Sequence, residues 1–455
     1  MKTLRLRADT RLQTMTTYLT DLDLHPLDAL AVRIRDRSAT AAVIGLGYVG
    51  LPLLVGMHGS GFRVVGIDAD ERKVSGLRSR RSHIGDISDS AIEAMERATF
   101  SSNPAPLADA DVIVLCLPTP LTDGSPDLTM VQKAAEDVVR YLKPGALVVL
   151  ESTTYPGTTE EFLRPILETT GLRAGRDFAL GYSPERIDPG NREHRLATTP
   201  KIVAGLTDRC RDLAVSFYSA FVHTVVTTSS PREAEMAKLI ENTYRQVNIA
   251  LVNELAVLAR DLGVDIWESL HAAATKPFGY QPFWPGPGVG GHCISIDPTY
   301  LSWRAGQQLG HRVEFIEHAN EVNNRMPDYV VSRVAEALND AGKPIKGSKV
   351  LGVGVAFKPG VDDLRESPSL MVLDRLARRG AGVSYHDAFV PRCEIDGEER
   401  LSAPLDAATI GSQDIVVLLT PHAGIDVHAL VNTAAMVFDT RGITVGIDAP
   451  HVVRL

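Results

Sequence analysis

From Pro26 onward the chain switches between helical and strand periodicity. A helical spacing over 26–37 gives way to A-A-V-I-G at Ala41, an apolar run entering glycines, which reads as a strand. Similar runs recur at 64–68, 111–118, 146–153, 178–183 and 201–205, with helical stretches between them. Strand, helix and strand at this spacing predict a parallel, doubly wound sheet. Ser230-Pro-Arg-Glu233 then has the form of a helix start, with Ser230 as N-cap, Pro231 at the first helical position and Glu233 closing a capping box. Met236, Ile240, Tyr244, Val247, Leu251, Leu255, Leu258 and Leu262 follow at three- and four-residue steps up to Gly263. They predict an unusually long amphipathic helix that links two domains or meets a partner subunit. Met236, Ile240, Val247, Leu251, Leu255 and Leu258 are expected to face one layer, and Ile249, Val252 and Ala256 another. A second set of strand signals covers 350–357, 383–386, 414–420 and 436–439.

Composition narrows the picture. At 455 residues the chain exceeds what one core normally serves. Its 44% apolar and 23% charged content suits a soluble globular protein. A net charge of −9 argues against general nucleic-acid or membrane-surface binding. The apolar run 41–57 is interrupted by Gly45, Gly47, Gly50, Pro52 and Gly56, and it is too short for a membrane span. Residues 1–21 lack a continuous apolar segment, so no signal peptide is expected, only a poorly ordered extension. Cys116, Cys210, Cys293 and Cys393 form no C-x-x-C pair. That indicates neither a disulfide framework nor a zinc site, no metal is expected, and a reducing cytoplasm fits.

Two motifs carry chemistry. Gly45-Leu-Gly47-Tyr48-Val49-Gly50 satisfies G-x-G-x-x-G at a strand-to-helix turn. The glycines allow the tight turn, the approach of a pyrophosphate and helix–sheet packing, while helix-end amides meet the phosphate. Asp68 closes the next strand, where an acid holds ribose hydroxyls and repels a 2′-phosphate, so NAD is favoured over NADP. The second motif, V-G-G-H-C-I-S-I-D-P at 289–298, presents the thiol of Cys293 after a glycine pair. A dinucleotide site with a presented thiol suggests oxidation of an aldehyde through a covalent thiohemiacetal. The fold class expected is α/β, with two Rossmann-type doubly wound domains joined by a long central helix.

These motifs, together with C-L-P-T-P-L at 116–121, E-S-T-T-Y-P-G-T-T at 151–159, S-P-E-R at 183–186, A-K-L-I-E-N-T-Y-R at 237–245 and F-K-P-G-V-D-D-L-R-E-S-P at 357–368, closely resemble the UDP-glucose/GDP-mannose dehydrogenase family. The resemblance implies an NAD-dependent, four-electron oxidation of a nucleotide-sugar C6 alcohol to a carboxylate. It implies an N-terminal extension to 38, an NAD-binding domain over 39–230, a central helical domain with the cysteine loop over 231–330, and a UDP-sugar domain over 331–455. It also implies that Cys293 traps the aldehyde, that Lys238 and Asn242 stabilise the oxyanion, that Glu185 activates water, and that Thr153 and Asp297 position water and assist proton transfer. Lys238 and Asn242 are spaced i,i+4, so both project from one helix face.

Tyr48, Val49, Pro118, Thr119, Thr153 and Arg365 join the glycines and Asp68 as NAD contacts by the same resemblance. Glu185, Arg186, Lys238, Asn242, Tyr280, Gly290, Phe357, Lys358 and Arg441 are assigned to the substrate, whose diphosphate needs cations in an acidic protein. Arg186 after Glu185, and K-P-F-G-Y-Q-P-F-W-P-G-P-G at 276–288, resemble the branch acting on UDP-N-acetylhexosamines. UDP-N-acetyl-D-glucosamine is therefore the expected substrate, with UDP-glucose and an inactive nucleotide-sugar-binding sensor as alternatives. An arginine that some members lend from a partner subunit is not evident before this loop, where Lys276 is the nearest cation. A homodimer or a multiple of it is expected around the long helix.

Overall fold

The computed structural model describes residues 25–188 and 193–455; the extension expected over 1–21 lies outside them. Contacts divide the chain into two compact units. The first comprises the chain up to Pro118, Leu128–Ser152 and Gly157–Glu235. The second comprises Thr119–Asp127, Thr153–Pro156 and Met236–Leu455.

After α1 (Pro26–Arg35), the first unit builds eight strands: β1 (Thr40–Ile44), β2 (Arg63–Ile67), β3 (Ala98–Ser101), β4 (Val112–Leu115), β5 (Leu147–Leu150), β6 (Ala179–Tyr182), β7 (Lys201–Gly205) and β8 (Val225–Thr227). Their order is β8-β7-β6-β5-β4-β1-β2-β3. Strands β1, β4 and β5 are buried along their whole length, as expected where helices cover both faces of a sheet. One expectation fails: β6 and β7 run antiparallel, with Gly181 opposite Gly205, so the sheet is mixed. Strands β3 and β8 have too few apolar residues to stand out in the sequence.

Helix α2 (Gly50–Gly59) follows the turn that Gly45 makes at φ +96° and packs closely on it: a Cβ on Gly50 would strike the Gly45 carbonyl. Helix α3 (Asp208–Tyr218), capped by Thr207, adds Phe217 and Tyr218 to the core. Phe217 packs against Phe62, Tyr218 and Phe221 with ring centroids 5.5, 5.2 and 5.3 Å away.

Helix α4 (Pro231–Asp261) spans 31 residues. The Ser230 hydroxyl accepts from the Arg232 amide at 3.2 Å and donates to Glu233. Helix α5 (His292–Leu309) and helix α6 (Glu314–Asp340, 27 residues) follow in the second unit. Then come β9 (Lys349–Val353), α7 (Pro368–Arg378), β10 (Gly382–His386), β11 (Ile415–Leu418), β12 (Val437–Asp439) and β13 (Val452–Arg454). These strands form a parallel sheet in the order β10-β9-β11-β12-β13. Among the described residues no helix is long and apolar enough to cross a membrane.

Within one chain the two rows expected of α4 are covered unequally. Val252 and Ala256 are buried, but Ile240, Leu251, Leu255 and Leu258 are 54%, 50%, 38% and 50% exposed. The inward face instead carries Glu235, Lys238, Asn242, Gln246 and Asn253, all buried. Periodicity locates stripes on a helix; it does not say which stripe the rest of the chain covers.

Truncating Phe217 to Ala should destabilise the first unit by about 3–5 kcal/mol, the usual cost of emptying an aromatic core position. Urea unfolding followed by circular dichroism checks this; a loss below about 1 kcal/mol would place the ring outside the packed core.

Candidate active site

The glycine turn has the shape a dinucleotide needs. A Cβ at Gly45 would collide with the Cys116 carbonyl, whereas one at Gly47 would meet nothing within 4 Å. The first glycine is thus sterically required, and the second leaves open space beside the amides that open α2. Tyr48 and Val49 complete the turn, and Pro118 ends the adjacent β4 loop in the same unit. Asp68 is buried behind this turn. Its Oδ2 accepts the Leu46 amide at 2.9 Å and lies 3.3 Å from Lys73 Nζ, and its Oδ1 accepts the Asp70 amide. A carboxylate has about four acceptor positions, so capacity remains for ribose hydroxyls. These residues fit an NAD pyrophosphate and adenosine ribose.

Cys293 is the second residue of α5, so the thiol opens a helix rather than lying in a loop. Its glycine pair also serves close packing rather than flexibility. A Cβ on Gly290 would press on the Glu366 carbonyl and Pro368 at 2.7 Å, and one on Gly291 would enter the Phe357 ring. Cys293 reaches the surface, yet crowding around its sulfur desolvates the thiolate, and that together with the Asp297 charge raises the pKa, against Lys238, Arg365 and Arg245.

Asp297 lies one turn further along α5, 1% exposed. Its Oδ2 accepts from Asn242 Nδ2 at 2.6 Å, and its Oδ1 has no protein partner. Burial pushes its carboxyl up to about 7, with Lys238 and the Asn242 hydrogen bond opposing. Lys238 and Asn242 are both buried on the inward face of α4. The second unit therefore brings a thiol, a carboxyl titrating near neutrality, an ammonium and an amide into one neighbourhood. Perturbed groups of this kind mark catalytic centres.

Nearby, a cavity of about 400 Å³ is lined by residues that include Gln246, Ser295, Thr299, Asn320, Asn323 and Arg365. Arg365 makes a two-pronged pair with Asp363, at 3.0 and 2.6 Å. Thr119 donates to the Thr153 carbonyl at 2.7 Å. Sequence reading passed over the next residue, Thr154, whose hydroxyl is wholly buried without a protein partner. Three consecutive hydroxyl residues cannot be told apart by pattern; burial separates them.

Arg441 is held by a neighbouring backbone carbonyl. Its Nε donates to the Leu419 carbonyl at 2.9 Å, and Asp439 accepts its amide rather than its guanidinium. Desolvation lowers its pKa to about 10, with Asp439 acting against the shift. Gly286 makes room, because a Cβ there would run into the guanidinium. A half-buried cation without a carboxylate on its guanidinium suits an anionic ligand. Lys358 lies 5.8 Å from the Phe357 ring centre. Tyr280 stays on the surface, 37% exposed, and Lys276 sits 5.0 Å over the exposed Phe278 ring.

Glu185 belongs to the first unit. One oxygen accepts the amides of Arg186 and Ile187, and the other lies 3.2 Å from the Lys201 ammonium. Arg186 turns back to donate to the Pro200 carbonyl at 2.6 Å.

Comparison with known proteins agrees with these features. Residues 39–222 match the NAD binding domain of the UDP-glucose/GDP-mannose dehydrogenase family, 232–325 its central domain and 351–445 its UDP binding domain. The chain is 38% identical over 386 residues to the UDP-N-acetyl-D-glucosamine 6-dehydrogenase of Pseudomonas aeruginosa, covering 84% of this chain and 90% of that protein. It is 35% identical over 375 residues to the UDP-N-acetyl-D-mannosamine dehydrogenase of Pyrococcus horikoshii, covering 82% and 88%. A solved structure of UDP-D-ManNAc dehydrogenase from Pyrococcus horikoshii superposes with a TM-score of 0.82 at 31% identity, covering 91% of this chain and 98% of that one. With three domain models in order along most of its length, the chain belongs to the UDP-glucose/GDP-mannose dehydrogenase family and is an NAD-dependent nucleotide-sugar dehydrogenase.

Proposed function

We propose that the enzyme oxidises the C6 hydroxyl of a UDP-N-acetylhexosamine, UDP-N-acetyl-D-glucosamine first among them, to the uronate. The observation that carries the reaction is the neighbourhood of Cys293, which reaches the surface, with the buried side chains of Asp297, Asn242 and Lys238. Lys238 and Asn242 supply a cation and an N–H donor to the oxygen that gains charge as the alcohol becomes an aldehyde and then a thiohemiacetal. Asp297, titrating near 7, takes and returns protons there, since a base is most effective with a pKa near the working pH. The resulting Cys293 thioester is hydrolysed by water that Glu185 activates and Thr153 helps to position. NAD, held at the glycine turn and by Asp68, Thr119 and Arg365, supplies the hydride acceptor for both oxidations. Arg441 and Lys358 hold the UDP diphosphate, and Tyr280, Gly290 and Phe357 shape the sugar end. The N-acetyl preference rests on relatives named for N-acetylated sugars and on the 276–288 loop.

Steady-state NADH formation with UDP-N-acetylglucosamine, its mannose and galactose analogues and UDP-glucose tests the reading. Preference for an N-acetylated sugar is expected; preference for UDP-glucose overturns the substrate, and no NADH with any sugar restores the sensor alternative. Cys293→Ser should abolish overall turnover with NAD affinity preserved, because a hydroxyl is a far weaker nucleophile at neutral pH.

The Asp297 pKa gives a second check. Its folded-state value lies above the unfolded one, so its contribution to stability is full below about pH 4 and is lost as pH rises through about 7. Asp297→Asn should therefore raise the melting temperature at pH 8.5 relative to wild type by more than at pH 5.5, while turnover falls. Equal shifts at both pH values would show that the carboxyl is not held protonated by burial.

The exposed row Ile240, Leu251, Leu255, Leu258 and Leu262 is a larger apolar stripe than a helix normally leaves in water, and we infer that a second copy covers it. A Leu251→Glu/Leu258→Glu variant should give the monomer mass in light scattering where wild type gives a dimer or a multiple of it. A monomeric wild type overturns the interface.

A further inference from the structure

Three ionised or ionisable side chains meet in the interior of the first unit. Lys201, the first residue of β7, is 2% exposed, and its Nζ lies 3.0 Å from Glu151 Oε2 and 3.2 Å from Glu185 Oε2. Glu151 follows β5, is 1% exposed, and accepts the Tyr218 hydroxyl on its other oxygen. The Cys116 thiol, following β4, is the remaining titratable group that faces them. The antiparallel β6–β7 pairing is what puts Lys201 and the residues after β6 on neighbouring strands.

A lysine this deep is costly to keep charged unless it is paired. Burial works against the ammonium, but Glu151 and Glu185 outweigh it and raise its pKa. Burial holds Glu151 above the ordinary carboxylate range, with Lys201 opposing and Glu185 adding to the rise. One cation thus serves two carboxylates. Glu185 has both oxygens engaged: the Arg186 and Ile187 amides hold one and Lys201 the other. No part of the reaction described above uses Lys201, Glu151 or Tyr218.

We propose that Lys201, anchored by Glu151 and Tyr218, is a positioning residue that clamps the Glu185 carboxylate for hydrolysis of the Cys293 thioester. The proposal rests on the reading of Glu185 as the water-activating base. In that step water adds to the thioester carbonyl while Glu185 accepts one of its protons. The C–S bond then breaks, Cys293 leaves as thiolate, and the product acid releases its own proton; nothing is oxidised or reduced. Without the ammonium, two buried carboxylates face each other, and the cheapest relief is to protonate or rotate one of them. Either change takes away the base while leaving the two oxidations intact.

The test follows full-length enzyme through rapid mixing with NAD and UDP-N-acetylglucosamine, or whichever UDP-sugar the steady-state comparison prefers, and reads NADH and the intact protein mass. Lys201→Met should give a burst of two NADH per active site, then turnover lowered by roughly 10²-fold, the size of a general-base contribution. The acyl adduct should accumulate on Cys293, and KM for NAD should stay near wild type. Lys201→Arg should restore turnover and remove the adduct. Should Lys201→Met fail to fold, Lys201→Met/Glu151→Gln removes the cation together with its anchor; it relieves the like-charge clash but still leaves Glu185 without the ammonium that orients it, so the adduct should accumulate there too. Normal turnover in either Met variant, or loss of burst and adduct together with NAD binding intact, overturns the proposal. Glu185→Gln is the control for the parent reading. If it accumulates no adduct, the role of Glu185 falls; if it does and folded Lys201→Met does not, only the clamp falls.

Discussion

The second unit is organised around a helix that turns its polar side inward. Lys238, Asn242, Gln246 and Asn253 of α4 are buried, and each buried polar group must find a partner or cost stability. For the side-chain amides of Asn242, Gln246 and Asn253 the acceptors come from the next two helices. Asp297 of α5 receives Asn242, Asn320 of α6 receives Gln246, and Asn323 receives Asn253 at 2.9 Å, while the Asn253 carbonyl oxygen takes the Gly286 amide. This ladder sets how α4, α5 and the 276–288 loop lie against one another. The candidate chemistry occupies the same stripe, so the hydrogen bonds that hold the helices also aim Asn242 and Asp297.

Glu235 performs the matching task in the first unit. It is wholly buried and accepts the Gly157 amide at 2.6 Å and the Thr159 amide and hydroxyl at 2.9 and 2.7 Å. Burial pushes its carboxyl up to about 7, against those hydrogen bonds. Its three donors tie the start of α4 to the segment that follows the E-S-T-T-Y-P motif.

The two sheets use one device in two ways. Gly45 and Gly354 both turn at positive φ, with the Cys116 and Thr420 carbonyls where a Cβ would go. Asp68 and Asp387 close the second strand of each unit and accept amides from the residues just after that glycine. Asp387 is saturated, however. His422 reaches it at 2.9 Å and the Ala356, Phe389 and Val390 amides add to Val355. Asp68 keeps free acceptor capacity, which is why the glycine turn of the first unit, and not that of the second, suits a ribose.

Local chemistry made much of this legible. The glycine turn, Asp68, the apolar strands, the capped start of α4 and the cysteine motif are short-range signals whose backbone demands are met within a few residues. Lys238 and Asn242 share a face because the helical repeat puts i and i+4 together. What required the folded chain were the long-range choices. The antiparallel β6–β7 pair, the burial of Lys201 between two glutamates and the inward turn of the polar stripe on α4 depend on residues tens of positions apart. So do the uncompensated guanidinium of Arg441 and the raised carboxyl of Asp297. Sequence carries periodicity and turn chemistry because these act between neighbours; it does not carry which face is covered or which charge is desolvated, since both are set by whatever the rest of the chain packs against them.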